Sequence, residues 1–165
     1  IIVALAFDYS GDKIFVSTSG GHLYALHAKT GKELWVHSES IGDVVAIDFV
    51  ENKNAVLAAT SNYNVQLLDV SSGKVLNSAT ATGSALWDMV IFPNGERFAI
   101  ALADGTVGIW DMDRFSLIAS FPSSESIECI AVSSDGHRLA IGGGIATIQL
   151  MDGMSRGARR TNTKE

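Results

Sequence analysis

The chain has 165 residues, 47% of them hydrophobic and 18% charged, and a formal charge of −6. That length lets one ordinary domain bury roughly 70% of its unfolded surface, and the composition excludes a disordered chain. The single cysteine, Cys129, excludes an internal disulfide and a cysteine-based metal cluster, and no apolar run approaches the ~20 residues of a membrane-spanning helix.

The charge is uneven. Residues 1–152 hold 8 basic against 17 acidic side chains, whereas the tail 153–165, GMSRGARRTNTKE, holds 4 against 1. An acidic body argues against broad phosphate binding, which needs neutralising cations. Only the tail arginines Arg156, Arg159 and Arg160 offer nucleic acid a foothold, and the tail itself reads as a solvated, mobile terminus. The opening IIVALAF lacks the basic start of a signal peptide. With no initiating Met, the chain reads as a piece of something longer. A lone thiol suits a reducing compartment, and the expected location is cytoplasmic.

In chain order, the apolar stretch VALAF runs into the turn SGDK at Ser10 to Lys13, then KIFVSTS, HLYALHA, the turn AKTG and KELWVHS. The same grammar follows three more times. VVAIDF, ENKN, NAVLAAT, NVQLLDV, VSSG and KVLNSAT make the second pass; WDMVIF, PNGE, RFAIALA, TVGIWDM, MDRF and SLIASFP make the third. The fourth pass gives IECIAV, SDGH, RLAIGGG and TIQLMDG, and then dissolves into the tail. The residues closing the third stretch, His27, Asp69, Asp111 and Asp152, fall 42, 42 and 41 residues apart. Short alternating runs joined by Gly and Asn turns are hairpin signals, and helical periodicity appears nowhere. The predicted units are 1–40, 41–83, 84–126 and 127–152, followed by the tail 153–165.

A four-stranded antiparallel unit of this length, repeated in tandem, is the mark of a β-propeller blade in an all-β fold. One such sheet cannot cover its own two faces, so it must stack on neighbours. Pro93 and Pro122 fall at a turn and a strand end, where a missing N–H is tolerated.

The unit ending in ADGTVGIWDM resembles a WD-repeat blade, with Asp104-Gly105 as its turn and Trp110-Asp111 as its named pair. Asp69 and Asp152 share the Asp111 column. The family's Gly-His dipeptide before the first strand is missing from all units, where IGDVV and GSALW stand instead. Without that histidine, Asp104 must find other partners or stay wet, because an unsatisfied buried carboxylate is costly. The first unit, LYALHAKTGKELW, is similar to blades of quinoprotein dehydrogenases and of outer-membrane assembly propellers. That resemblance implies that Ala28, Thr30, Gly31 and Trp35 dock one blade on the next. WD-type wheels most often resemble seven-bladed rings. The expectation is therefore a C-terminal portion of a larger ring, of about seven blades, whose earlier blades are absent. A four-bladed ring or pairing with another chain are the alternatives. In each case the fourth unit takes its outer strand from elsewhere.

Three features of the chain bear on chemistry. The histidines, His22, His27, His37 and His137, spread along the repeat without metal-ligand spacing. Cys129, beside Glu128, reads as a buried, inert thiol. Gly142-Gly143-Gly144 lacks the Lys-Ser/Thr and the helix of a phosphate loop. Quinoprotein chemistry would need an adjacent cysteine pair and an acidic calcium site. No catalytic residue, metal or cofactor is assigned.

The binding candidates lie at the starts of the first strands, around the central opening of a propeller: Glu39, Asp43, Leu86, Trp87, Asp88, Glu125 and Glu128. Asp88 and Glu128 read as equivalent repeat positions, so that two carboxylates frame Trp87 and suit a basic peptide. The competing reading puts Trp87 in the core, in one column with Ile2, Val44 and Ile127. The functional expectation is a non-catalytic scaffold for protein or peptide partners. The alternatives are an enzyme whose catalytic residues sit in missing blades, or a structural subunit of a large assembly.

Overall fold

The computed structural model describes residues 1–37, 42–81, 83–123, 126–144, 147–152 and 159–163. It is built of two compact units, Ile1–Thr82 and Gly83–Glu165, and each holds two antiparallel sheets of four strands. In the first unit, β1 (Ile2–Phe7), β2 (Lys13–Thr18), β3 (Leu23–His27) and β4 (Glu33–His37) form sheet one. Sheet two comprises β5 (Val44–Val50), β6 (Ala55–Thr60), β7 (Asn64–Asp69) and β8 (Val75–Thr80). The second unit carries β9 (Leu86–Ile91), β10 (Arg97–Leu102), β11 (Thr106–Asp111) and β12 (Ser116–Pro122) as sheet three. Sheet four has β13 (Ile127–Val132), β14 (Arg138–Gly143), β15 (Thr147–Asp152) and β16 (Arg159–Thr163). Each strand pairs with the next, giving the four tandem blade-like meanders that the repeat predicts.

The first hairpin of each sheet turns on a left-handed residue. Gly11, Gly95 and Gly136 fill that place at φ of 74°, 66° and 70°. In sheet two a 3₁₀ turn, Glu51–Lys53, closes on Asn54 at φ 47°, because asparagine is among the few other residues that visit this region at low cost.

Sheets one and two bury their facing sides against each other. Phe15, Leu23, Ala25 and Trp35 of sheet one meet Val44, Ile47, Val56, Ala58 and Leu68 of sheet two, flanked by Ala4, Ala6 and Phe49. The Phe15 ring lies 6.4 Å from Phe49 and 6.0 Å from Trp35. Two polar contacts cross between the sheets and set their register. The indole N–H of Trp35 donates to the Val70 carbonyl at 2.8 Å, and the buried Ser17 hydroxyl donates to the Val44 carbonyl at 3.1 Å. Gly73 lies beneath the indole: a Cβ there would sit 2.7 Å from Trp35 Cε3, and its φ is 67°. Of the docking residues implied by resemblance, Trp35 reaches across. Ala28 donates its N–H to Asp12 within sheet one, and Thr30 and Gly31 bond back to the His27 carbonyl.

The second unit repeats the arrangement with different side chains. Ala99, Ala101, Val107 and Ile109 of sheet three face Ile127, Ile130, Leu139, Ile141 and Met151 of sheet four. Here Asp88 on β9 accepts the Ile130 N–H of β13 at 2.8 Å, a cross-sheet tie that has no indole in it. Trp110 instead stays on its own sheet, 6.2 Å from Phe98. Its Nε1 is buried with no hydrogen-bond partner among the described residues.

One expectation is corrected. The outer strand of sheet four comes from the tail itself, with Arg159 opposite Asp152 and Thr163 opposite Ile148. The outer strands β8 and β12 show why the sequence hid it: their side chains are mostly exposed. Pairing there rests on backbone hydrogen bonds to an open edge, and a polar segment supplies those as well as an apolar one.

Two outcomes follow for stability in urea. Trp35→Phe removes the bond to Val70 and costs about 1–2 kcal/mol, and Gly73→Ala destabilises as well, because it forces a methyl group into the indole at a left-handed backbone. Asp8 reports on pH. Burial works to raise its carboxyl, but the Lys13 N–H, the Ser10 hydroxyl and the Lys13 charge outweigh it and hold Asp8 below the ordinary carboxylate value. Its contribution is therefore present above the unfolded value near ~4 and lost as pH falls through the lower folded value. Asp8→Asn destabilises at neutral pH, and the gap to the parent chain closes in acid.

Candidate functional site

Every first strand contains one residue too many for its partner. Ile2 faces Thr18 and Ala4 faces Ser17, leaving Val3 over. Val44 and Ala46 take successive partners on β6 and leave Val45. Leu86 and Asp88 do the same on β10 and leave Trp87, and Ile127 and Cys129 on β14 leave Glu128. A bulge of this kind frees one residue from the ladder and re-aims its side chain.

This register corrects two sequence expectations. Leu86, not Trp87, shares the column of Ile2, Val44 and Ile127. Leu86 is accordingly 2% exposed, while Trp87 is 59% exposed. Glu128 is the repeat equivalent of Trp87, and Asp88 is the equivalent of Cys129. A count by fixed period cannot see a bulge, because the extra residue is present in all four units and shifts only the pairing.

The two carboxylates consequently part company. Asp88 points inward, with one oxygen capping the Met89 N–H at 2.8 Å and the other holding Ile130. Glu128 is exposed on the neighbouring bulge. It lies close over Gly144, where a Cβ would come 3.3 Å from its Oε1 and 3.0 Å from Ser126 Oγ. Cys129 is exposed rather than buried, and the missing side chain of Gly142 opposite makes room for its sulfur. Asp43 is exposed just before β5, in the other unit. Glu39, Glu125 and Arg156 lie outside the described residues, and Arg159 and Arg160 fall within β16.

Asp111 and Asp69 are turn caps. Asp111 accepts the N–H groups of Asp113 and Arg114 at 3.0 and 2.8 Å. Asp69 accepts those of Ser71 and Ser72, and the Ser72 hydroxyl at 2.7 Å. That hydroxyl bond, with the backbone bonds behind it, holds the Asp69 carboxyl below its usual value. His27, the non-acidic member of the column, does the same through Nδ1 to the Lys29 N–H at 3.3 Å. Asp152 stands 4.0 Å from Arg138. Asp104 caps the Thr106 N–H at 2.9 Å beside Gly105 and is otherwise exposed, so it stays wet.

At the far end of β9 and β13, their hairpin turns enclose a cleft of about 400 Å³. Its charged groups already serve the turns. The Arg97 guanidinium lies 4.6 Å over the Phe92 ring. Asp135 is bound by the Ser133 hydroxyl at 2.5 Å and the His137 N–H at 3.0 Å, contacts that lower its carboxyl. Among the described residues no group of three or more metal-ligating side chains converges, and no helix is long and apolar enough to cross a membrane.

Two alanine substitutions separate the core residue from its exposed neighbour. Leu86→Ala lowers unfolding stability by about 2–5 kcal/mol, whereas Trp87→Ala changes it by no more than about 0.5 kcal/mol.

Comparison with known proteins agrees with the repeat. Residues 3–104 match the family model described as outer membrane protein assembly factor BamB. The chain is 24% identical over 153 residues to telomerase protein component 1 of Rattus norvegicus, covering 92% of this chain and 6% of that protein. It is 26% identical over 140 residues to the angio-associated migratory cell protein of Homo sapiens, covering 81% and 32% respectively. With WD repeat-containing protein 3 of Mus musculus the identity is 35% over 105 residues, covering 56% and 11%. The chain thus spans a third or less of the length of these relatives, which are WD-repeat proteins. With 3–104 matched and four blade-like sheets in its structure, the chain belongs to the family of the assembly factor BamB, as a run of WD-repeat-like propeller blades.

Proposed function

We propose that the chain is a non-catalytic propeller segment that serves as a protein-interaction scaffold, and that it reads a basic peptide through Trp87 with Glu128 beside it. One observation carries this reading. The β9 bulge turns an indole outward, 59% exposed, although Leu86 already fills the core place. The ring therefore stands largely outside the core. Exposed tryptophans are frequent anchors of protein interfaces, and their faces attract lysine and arginine.

The neighbouring bulge supplies the charge. The Asp88–Ile130 bond ties β9 to β13, which sets the Trp87 and Glu128 bulges on adjacent strands of one unit. A carboxylate next to an aromatic face favours a peptide bearing Lys or Arg, and the acidic balance of the chain attracts such a peptide from a distance. WD-repeat kinship supports a scaffold in general terms.

Fluorescence anisotropy with labelled Arg/Lys-rich and Glu-rich peptides tests the proposal. The basic peptides bind and the acidic ones do not, and affinity falls as salt rises. Trp87→Ala weakens binding about tenfold or more, and Glu128→Gln weakens it less while reducing the salt dependence. Equal binding of acidic peptides, or unchanged affinity in Trp87→Ala, overturns the reading.

A further inference from the structure

The outer strands carry a second column of bulges. Ala25 and Leu26 take Trp35 and Glu33 as partners on β4 and leave Leu34 over. On β8 the residue left is Leu76, between Val75 and Asn77, and on β12 it is Ile118, between Leu117 and Ala119. A bulge frees its side chain from the ladder, and here that side chain is each time a large aliphatic in solvent. Leu34, Leu76 and Ile118 are 42%, 56% and 54% exposed. Leu76 and Ile118 sit on sheets that the chain both precedes and follows with another sheet, and they are the more open. The exposure thus belongs to the outer edge of a sheet, not to a face awaiting a neighbour.

In the first unit charge is segregated along with these bulges. The outer strands and the turns leading into them, 28–37 and 70–80, carry Lys29, Lys32 and Lys74 against Glu33, all exposed. The rest of residues 1–82 carries two basic side chains against seven acidic ones. Trp35 draws the two bulges together: it follows Leu34, and its ring lies on Gly73, three residues before Leu76. Packed sheets stand ~10 Å apart, close to the ~11 Å rise of two turns of an α-helix. Ile118 has no such positive surplus, because Arg114 stands 4.0 Å from Asp111 and Asp113 is exposed beside it.

We propose that the outer edge of the first unit docks an acidic amphipathic helix of a partner protein. The helix covers Leu34 and Leu76 with its apolar stripe, and its flanking carboxylates meet Lys32 and Lys74. Charge selects the occupant, because this edge is the basic part of an otherwise acidic unit. The bulges work against the other mode open to a sheet edge, addition of a strand, since they interrupt the row of N–H and C=O groups that a new strand pairs with. A helix satisfies its own backbone and asks only for side chains, and apolar residues seven apart on one of its faces match the spacing of the two leucines. The surface is distinct from Trp87, which belongs to the other unit and calls for the opposite charge.

Fluorescence anisotropy with a labelled synthetic peptide tests this, its glutamates and alanines interrupted by leucines at helical spacing over about five turns. The peptide binds the 165-residue chain, and the mixture gains helical circular dichroism. Leu34→Asp and Leu76→Asp each weaken binding about tenfold or more. Lys32→Glu with Lys74→Glu weakens it too and removes its salt dependence, while Trp87→Ala leaves it unchanged. Circular dichroism of each variant alone checks that its strands remain; should one unfold, Leu34→Thr or Leu76→Thr replaces it with the same readout. A Glu-rich peptide without the leucines does not bind, because charge alone does not cover the bulges. The same residues rearranged in strict alternation, the pattern of a strand, bind more weakly. A parent chain that ignores the helix, equal binding of the alternating peptide, or an affinity indifferent to Leu34 and Leu76 overturns the proposal. So does Leu76-dependent capture of the chain by phosphatidylserine vesicles in place of the peptide, which would make the partner a lipid surface.

Discussion

A meander of four short strands has two broad faces and too little thickness to shield either, and this constraint governs the rest of the molecule. Sheet one hides Phe15, Leu23 and Ala25 only because Ile47, Val56 and Leu68 of sheet two lie against them. The second unit solves the same problem with alanines and Ile109 against Ile130 and Ile141. Apolar burial supplies the attraction, but it is non-directional. Register comes from a few polar ties: Trp35 and Ser17 in one unit, Asp88 in the other.

The first strands reconcile this packing with a usable surface. A ladder without bulges would send alternate residues strictly to the two faces, both of which are needed for stacking. One surplus residue per strand escapes that rule. In the first unit the escapees are Val3 and Val45, which carry no polar chemistry. In the second they are Trp87 and Glu128. The positions are shared by all four sheets, and the side chains placed there distinguish them.

Much of the fold was legible because turns and apolar stretches recur on one period, and the strands fall where that period puts them. The role of the repeat aspartates was less so. Their column was plain, yet only the geometry shows that Asp69, Asp111 and His27 are all acceptors for the turn that follows. A fixed period misaligns the first strands by one residue. Trp87 and Leu86 are both large and apolar, and the choice of which enters the core is made by ladder pairing, which leaves no trace in composition. The strand in the tail was hidden for a related reason: Arg159–Thr163 pairs through its backbone, and hydropathy is blind to that.

The Trp35 contact has a bearing on how such chains diversify. Its indole belongs to one repeat, while the carbonyl of Val70 and the bare Cα of Gly73 belong to the next. The heritable module is thus offset from the visible sheet. A duplication or exchange cut cleanly between β4 and β5 would separate a protruding ring from the hollow shaped to admit it. Recombination that preserves fit must carry the end of one sheet together with the far turn of its successor.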